Sequence, residues 1–243
     1  MIDIHCHILP DFDDGAADLG ESLGMARAAW NSGVKGIIVT PHFRGEAESM
    51  GRLPALLDRY QTLRAALARE KIPLQLHLGA EILCLPETLR MARQKSLPTL
   101  SNTDYLLCEF FFNESPVYMN KLLGGLAASG YRVVVAHPER YDAIQKDLRL
   151  AEQWFRRGYV LQLNKGSVLG SFGPKVQHTA QMLLENGFAH VIASDAHSTL
   201  YRTAEMGQLR SWLLNNYPPE YVRVLLEDNP RRLLRNEDMT PAE

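Results

Sequence analysis

Seven short apolar or β-branched runs alternate with longer segments of helical period, and this alternation limits the fold more than any other feature of the chain. The runs fall at residues 1–5, 36–41, 74–81, 104–110, 132–137, 159–164 and 189–195. Helical spacing occupies 17–33, 50–70, 87–94, 117–129, 147–157, 175–186 and 200–216, and the first of these stops at Asn31-Ser32-Gly33. In 50–70 the apolar residues Leu53, Leu56, Leu57, Tyr60, Leu63 and Leu67 recur at helical intervals. Strand–helix alternation implies βαβ units and a parallel sheet. Seven such strands predict an α/β fold, either a closed barrel or a distorted relative of one. With no linker, repeat or low-complexity stretch, residues 1–243 are expected to form one domain, with a polar tail that frays beyond about residue 235.

A net charge of −2 argues against a general nucleic-acid or membrane-surface binder. No apolar run approaches the roughly 18 residues of a membrane span, so no stable membrane insertion is expected. No basic segment followed by an apolar one is readable as a signal peptide. Cys6, Cys84 and Cys108 form neither pairs nor a metal-type spacing, which fits a reducing cytoplasm.

The histidines and carboxylates are not scattered over this pattern. After the first run come His5, His7 and, in the loop, Asp14; His42 follows the second. Glu81 ends the third, Glu109 lies in the fourth, His137 ends the fifth, and Asp195 and His197 end the seventh. In a parallel α/β barrel these strand ends converge on one face, the carboxyl-terminal one, where active sites sit. Side chains alternate along a strand, so His5 and His7 share a face while Cys6 points away. Asp195 and His197 repeat the arrangement if their strand stays extended. Nitrogen and carboxylate donors without thiolates suit Zn, Mn or Fe, and the carboxylate share tolerates Mn or Mg. Nine such side chains exceed the needs of one ion, so two or three divalent ions are expected, with Glu81 a candidate bridge. Any one of them alone has an ordinary explanation: a chance His-x-His, a carboxylate capping the next helix, turn chemistry at Pro41-His42. Crowded together without cations, they would perturb one another's protonation. Asp13 is expected to serve the turn with Gly15, and His77, His178 and His190 to be structural.

Bound divalent ions generate hydroxide near neutral pH and clamp phosphoryl oxygens. Phosphate chemistry also calls for a guanidinium, which Arg140, in HPER, and Arg202, after SDAH, would supply. A surface salt bridge is the ordinary alternative for each, and more so for Arg202. The stretch NKGSVLGSFG adds a polar, glycine-bearing loop at the same rim. Cys84 and Arg90, with five residues between them, have the spacing of a thiol phosphatase loop. Pro86 removes a backbone donor there and no glycine eases the curl, so Cys84 is expected to be a buried strand-end residue.

HCH, DDG, TPHF, GAEI, CEF, AHPERY, NKGSVLGSFG and SDAH, in this order, resemble the PHP (polymerase and histidinol phosphatase) superfamily, and within it the CpsB/CapC branch of bacterial metal-dependent protein-tyrosine phosphatases. The resemblance runs from Ile2 to about Leu234. It implies a distorted (β/α)7 TIM-like barrel holding three metal ions, most often Mn, with Fe, Zn, Mg or Co as alternatives. By position it implies His5, His7, Asp14, His42, Glu81, Glu109, His137, Asp195 and His197 as ligands. It also implies Arg140, and less securely Arg202, as catalytic residues on the phosphate. The implied substrate is phosphotyrosine in the C-terminal tail of a bacterial tyrosine autokinase that controls capsule or exopolysaccharide export. Ala80 departs from the polar residue expected before the glutamate. The expected reaction is in-line attack by metal-activated hydroxide, with a tyrosyl phenolate leaving and no cysteinyl intermediate. The alternatives are a phosphatase of a small alcohol phosphate such as histidinol phosphate, and an amidohydrolase, which would need a mid-barrel lysine where Glu81 and Glu109 stand. A non-catalytic module should have lost ligands, and none is missing.

Overall fold

The structure, a computed structural model, describes residues 1–242, with the side chains of 46–50 outside the described set. Among the described residues nine strands are all parallel to their neighbours: β1 (Ile2–Cys6), β2 (Gly36–Val39), β3 (His42–Phe43), β4 (Gln75–Leu78), β5 (Glu81–Leu83), β6 (Tyr105–Glu109), β7 (Arg132–Ala136), β8 (Val160–Asn164) and β9 (Val191–Ala193). They form two sheets, β1-β2-β4 and β3-β5-β6-β7-β8-β9. Isolated backbone bonds carry the pairing across the seams. Gly79 N–H donates to Val39 O (2.9 Å) and Glu81 N–H to Pro41 O (3.1 Å). On the other side Asp195 N–H donates to His5 O and His7 N–H to Ala196 O, both at 2.9 Å, around a Cys6–Ala196 bridge. The result is a distorted (β/α)7 barrel in which the second and third predicted strands are each broken into two pieces.

Helices cover the outside: α1 (Leu19–Asn31), α2 (Glu46–Arg69), α3 (Pro86–Arg93), α4 (Pro116–Ala128), α5 (Asp142–Lys146), α6 (Arg149–Arg156), α7 (Lys165–Val168), α8 (Pro174–Glu185), α9 (Gly207–Asn216), α10 (Pro219–Arg223) and α11 (Asn229–Leu234). Asp18 starts α1 by accepting the Glu21 N–H at 2.8 Å. Strand alternation divides the core in two. Ile4, Ile38, Tyr105, Leu107, Val134, Ala136, Val160, Val191 and Ala193 fill the barrel interior. Cys6, Ile37, Val39, Ile82, Leu106, Cys108, Val133, Val135, Leu161 and Ile192 pack outward beneath the helices. In α2, Tyr60, Leu63 and Leu67 are buried as the periodicity predicts, whereas Leu53 and Leu57 are exposed.

Several expectations are corrected. The third run breaks at Gly79, where a Cβ would lie 2.8 Å from Leu100 Cδ2 and 2.9 Å from Ile38 Cγ2, so the chain passes too close to its neighbours for a side chain. The seventh helix begins only at Gly207. The segment before it is a loop pinned by Lys165 Nζ, which donates to the carbonyls of Thr203 and Glu205. Within NKGSVLGSFG, Lys165–Val168 form the short helix α7, and Phe172 beyond it packs on Arg140. The tail expected to fray folds back: Tyr105 Oη donates to Glu237 O (2.7 Å), and Asn229 exchanges hydrogen bonds with Thr240 (2.7 and 3.0 Å). Among the described residues no helix is long and apolar enough to cross a membrane.

Candidate metal centre

All nine predicted ligands meet at the carboxyl ends of the strands, and they get there by three backbone devices. In β1 the pairing runs Asp3 to Ile37 and then Cys6 to Val39, so Ile4 and His5 together stand against Ile38 alone. This one-residue bulge lets Ile4 face the barrel interior and still turns His5 and His7 into the site. His137 follows the outward-facing Val133 and Val135 in phase, yet its left-handed backbone (φ 36°) swings the imidazole inward. Asp195 is left-handed as well (φ 49°), so the Asp195–His197 pair does not continue an extended strand. A non-glycine residue in this region costs on the order of 1 kcal/mol, and such strain collects at functional sites.

Glu81 lies at the centre. Its oxygens are 2.9 Å from His137 Nε2, 3.3 Å from the Nε2 atoms of both His5 and His7, and 3.2 Å from His42 Nδ1. His42 Nδ1 is also 3.1 Å from Glu109, and its Nε2 is 3.2 Å from Asp14. His197 Nε2 reaches Asp14 at 3.5 Å, and Asp195 stands 3.4 Å from His5. The donors fall into three overlapping groups: His7, Asp14, His42 and His197; His5, His7 and Glu81; His42, Glu81 and Glu109.

The residues fit divalent cations. Imidazole and carboxylate donors are the right chemistry. His5 Nε2 and His7 Nε2 face each other at 3.2 Å, and both other ring nitrogens are engaged behind them. His7 Nδ1 donates to Asp13 (2.8 Å) and His5 Nδ1 to Gln162 Oε1 (2.8 Å), which aims both Nε2 lone pairs at the cluster. Buried His42 Nδ1 and Asp195 Oδ1 make no hydrogen bond despite their close neighbours. Without cations, protons compensate the carboxylates. Burial pulls His7 and His42 down, but Asp13 and Glu81 raise His7 to about 10, and Asp14 and Glu109 raise His42 to about 11. Burial opposes the charge on Glu81, yet His5 and His137 hold it well below the usual carboxylate range. Cations would replace those protons.

The ligand supports were not all legible. Asp13 does serve the turn, accepting the Gly15 N–H at 3.0 Å, but it also orients His7 and accepts the His42 N–H (3.1 Å). Gly15 is required because a Cβ there would lie 2.0 Å from His7 O. The sixth predicted strand, β8, brings no charged ligand. It supplies buried Gln162 and Asn164, and Asn164 Nδ2 donates to Asp195. Inward polar residues at alternate positions of that strand were the available signal. His190, by contrast, faces α6, with its ring 5.3 Å from that of Phe155.

Arg140 and Arg202 line the same 440 Å³ cavity as the cluster, and Arg44 joins them at its mouth. Both predicted arginines converge on Asp195 Oδ2, Arg202 at 2.5 Å and Arg140 at 3.8 Å. Arg140 is clamped between the rings of Phe112 and Phe172, 4.3 and 4.5 Å away. Cys84 is buried away from this cavity, and burial pushes its thiol well above the ordinary range, the reverse of an activated nucleophile.

Known proteins similar to this chain have a described activity. The tyrosine-protein phosphatase YwqE of Bacillus subtilis is 35% identical, over 98% of this chain and 92% of its own. The tyrosine-protein phosphatase CpsB of Streptococcus pneumoniae is 30% identical, over 98% of this chain and 99% of its own. A solved structure from work on these two proteins, described as unique metal-dependent tyrosine phosphatases, superposes with a TM-score of 0.89 at 34% identity, covering 100% of this chain and 98% of that one. The family model described as "Capsular polysaccharide synthesis, CpsB/CapC" matches residues 1–235, and the chain belongs to that family.

Proposed function

We propose that the chain is a metal-dependent protein-tyrosine phosphatase, acting as one catalytic unit. The observation that carries this reading is the set of three overlapping ligand groups in one cavity with the guanidinium groups of Arg140 and Arg202. The ligands are His5, His7, Asp14, His42, Glu81, Glu109, His137, Asp195 and His197. They have donors enough for two or three ions, with Mn expected from the mixed imidazole and carboxylate set. Bound there, divalent ions would supply Lewis acidity toward phosphoryl oxygens and lower the pKa of the attacking water.

The protein's own part is to bind and orient. Arg140 and Arg202 donate to the non-bridging phosphoryl oxygens and hold the charge that develops there. Asp195 anchors both guanidiniums while its other oxygen faces the ligand histidines. The tyrosyl oxygen, with a parent pKa of about 10, leaves as phenolate with little protonation, so no dedicated general acid is needed. Family membership supports a phosphorylated protein of capsule or exopolysaccharide synthesis as substrate, namely the C-terminal tail of a tyrosine autokinase. Three unpaired, buried cysteines support a cytoplasmic location.

The test is phosphate release from a phosphotyrosyl peptide by metal-stripped protein, with and without added Mn, in the wild type and in Cys84→Ser. Activity that requires Mn and survives the serine substitution is the expected result. Metal-independent activity lost in Cys84→Ser would overturn the site assignment. Inactivity of metal-loaded protein on the peptide, with turnover of histidinol phosphate, would move the substrate to a small alcohol phosphate.

A further inference from the structure

Beside the charged floor of the cavity stands an apolar wall that the chemistry above does not use. Leu83 at the end of β5 and the run Phe110-Phe111-Phe112 after β6 line it. Phe110 is buried against Tyr141, with ring centroids 6.1 Å apart, and Phe112 covers Arg140. Phe111 is different. It is 57% exposed and, among the described residues, meets no ring or cation. Phe110 keeps its burial and Phe112, though 43% exposed, packs its ring on Arg140; Phe111 gives up burial with neither compensation. Here it does so at the edge of a cavity whose lining also includes Arg44, Arg140 and Arg202. A ligand with an anionic head and a flat apolar body satisfies both kinds of lining at once.

We propose that Phe111, supported by Leu83, is the aryl subsite of this enzyme, and that it selects phosphate esters of phenols over those of alcohols. The proposal rests on the phosphatase reading and adds the residue that recognises the leaving group. The phosphoryl group lies over the ligand cluster between the guanidiniums, and the phenyl ring extends outward against Phe111. Ring contact of this kind is worth about a factor of ten in affinity.

The experiment uses metal-loaded full-length protein and two competitive ligands: inorganic phosphate, and a peptide carrying phosphonomethyl-phenylalanine, a non-hydrolysable phosphotyrosine mimic. Binding is measured by calorimetry and checked by inhibition. In Phe111→Ala the mimic should bind about tenfold more weakly while phosphate binding stays unchanged, and Phe111→Trp should restore the mimic. Phe111→Leu, which keeps apolar area without a ring, should fall between them. Equal weakening of both ligands would overturn the proposal, because it would mean that Phe111 only shapes the loop. Undiminished binding of the mimic to Phe111→Ala would overturn it as well, as would an altered oligomeric state with ligand discrimination intact. A wild-type protein that binds phosphate but not the mimic would instead remove the tyrosine-phosphatase reading, and the subsite with it.

Discussion

Replacing Gln162 with leucine should weaken metal binding without touching a ligand. Gln162 is wholly buried in β8, and its amide is spoken for on both sides. Its nitrogen donates to Leu163 O and Asn164 Oδ1, both at 2.8 Å, so its oxygen must be the group 2.8 Å from His5 Nδ1. That assignment puts the His5 proton on Nδ1 and leaves Nε2 free for the cluster. Gln162→Leu fills a similar volume but cannot accept this proton. His5 then loses the bond that fixes its tautomer and ring angle, and Asn164, which also orients Asp195, loses a donor. Losing such a support typically costs about 10- to 100-fold in metal affinity, or roughly 1.4–2.8 kcal/mol. Unpaired buried groups should also lower the stability of the metal-free protein, by about 1–3 kcal/mol for each group that finds no new partner. Competition for Mn against a chromophoric chelator measures the first effect, and urea unfolding of metal-free protein the second. A variant that resists urea as well as wild type and binds Mn within twofold of it would refute the orientation argument.

Two further outcomes are expected. Arg140→Ala should reduce turnover of a phosphotyrosyl peptide on the order of 10²-fold while metal content by elemental analysis stays the same, and unchanged turnover would remove its assigned role. His190 sets an acid-stability term far from the cavity: burial holds its pKa down to about 4, and its Nδ1 accepts the Leu161 N–H at 3.2 Å. The unfolded chain binds this proton near pH 6.5, so the stabilisation is fully present above about 6.5 and is lost as pH falls toward about 4. Between pH 7 and 5 the loss from this one group should be about 2 kcal/mol, and urea titrations of His190→Asn, whose amide oxygen replaces the acceptor, should show a correspondingly shallower pH dependence.

The candidate ligands were legible as a cluster because two regularities act together. Parallel strands bring their carboxyl ends to one face, and a histidine or acid at such an end is conspicuous by residue type. The supports were not, because they are chemically ordinary. Gln162 and Asn164 are neutral, and Asp13 looks like a turn residue until His7 is seen 2.8 Å away. Strand phase alone would have turned His137 outward with Val133 and Val135; only the left-handed backbone, invisible in the residue pattern, reverses it. The break at Gly79 and the short helices α10 and α11 likewise depend on neighbours distant in sequence.

The bulge in β1 uncouples two parts of the protein that an unbroken strand would lock together. Below it, Ile4 keeps time with the apolar interior; above it, His5 and His7 keep time with the cavity, half a pleat out of step. The strand thus works as a phase shifter. Substitutions of matching volume at Ile4 can repack the barrel floor while the imidazoles above keep their aim. Without the bulge the same sequence, paired regularly from Asp3, would set His5 against the outward-facing Val39, and Cys6 would be carried into the cavity in place of the histidines on either side of it.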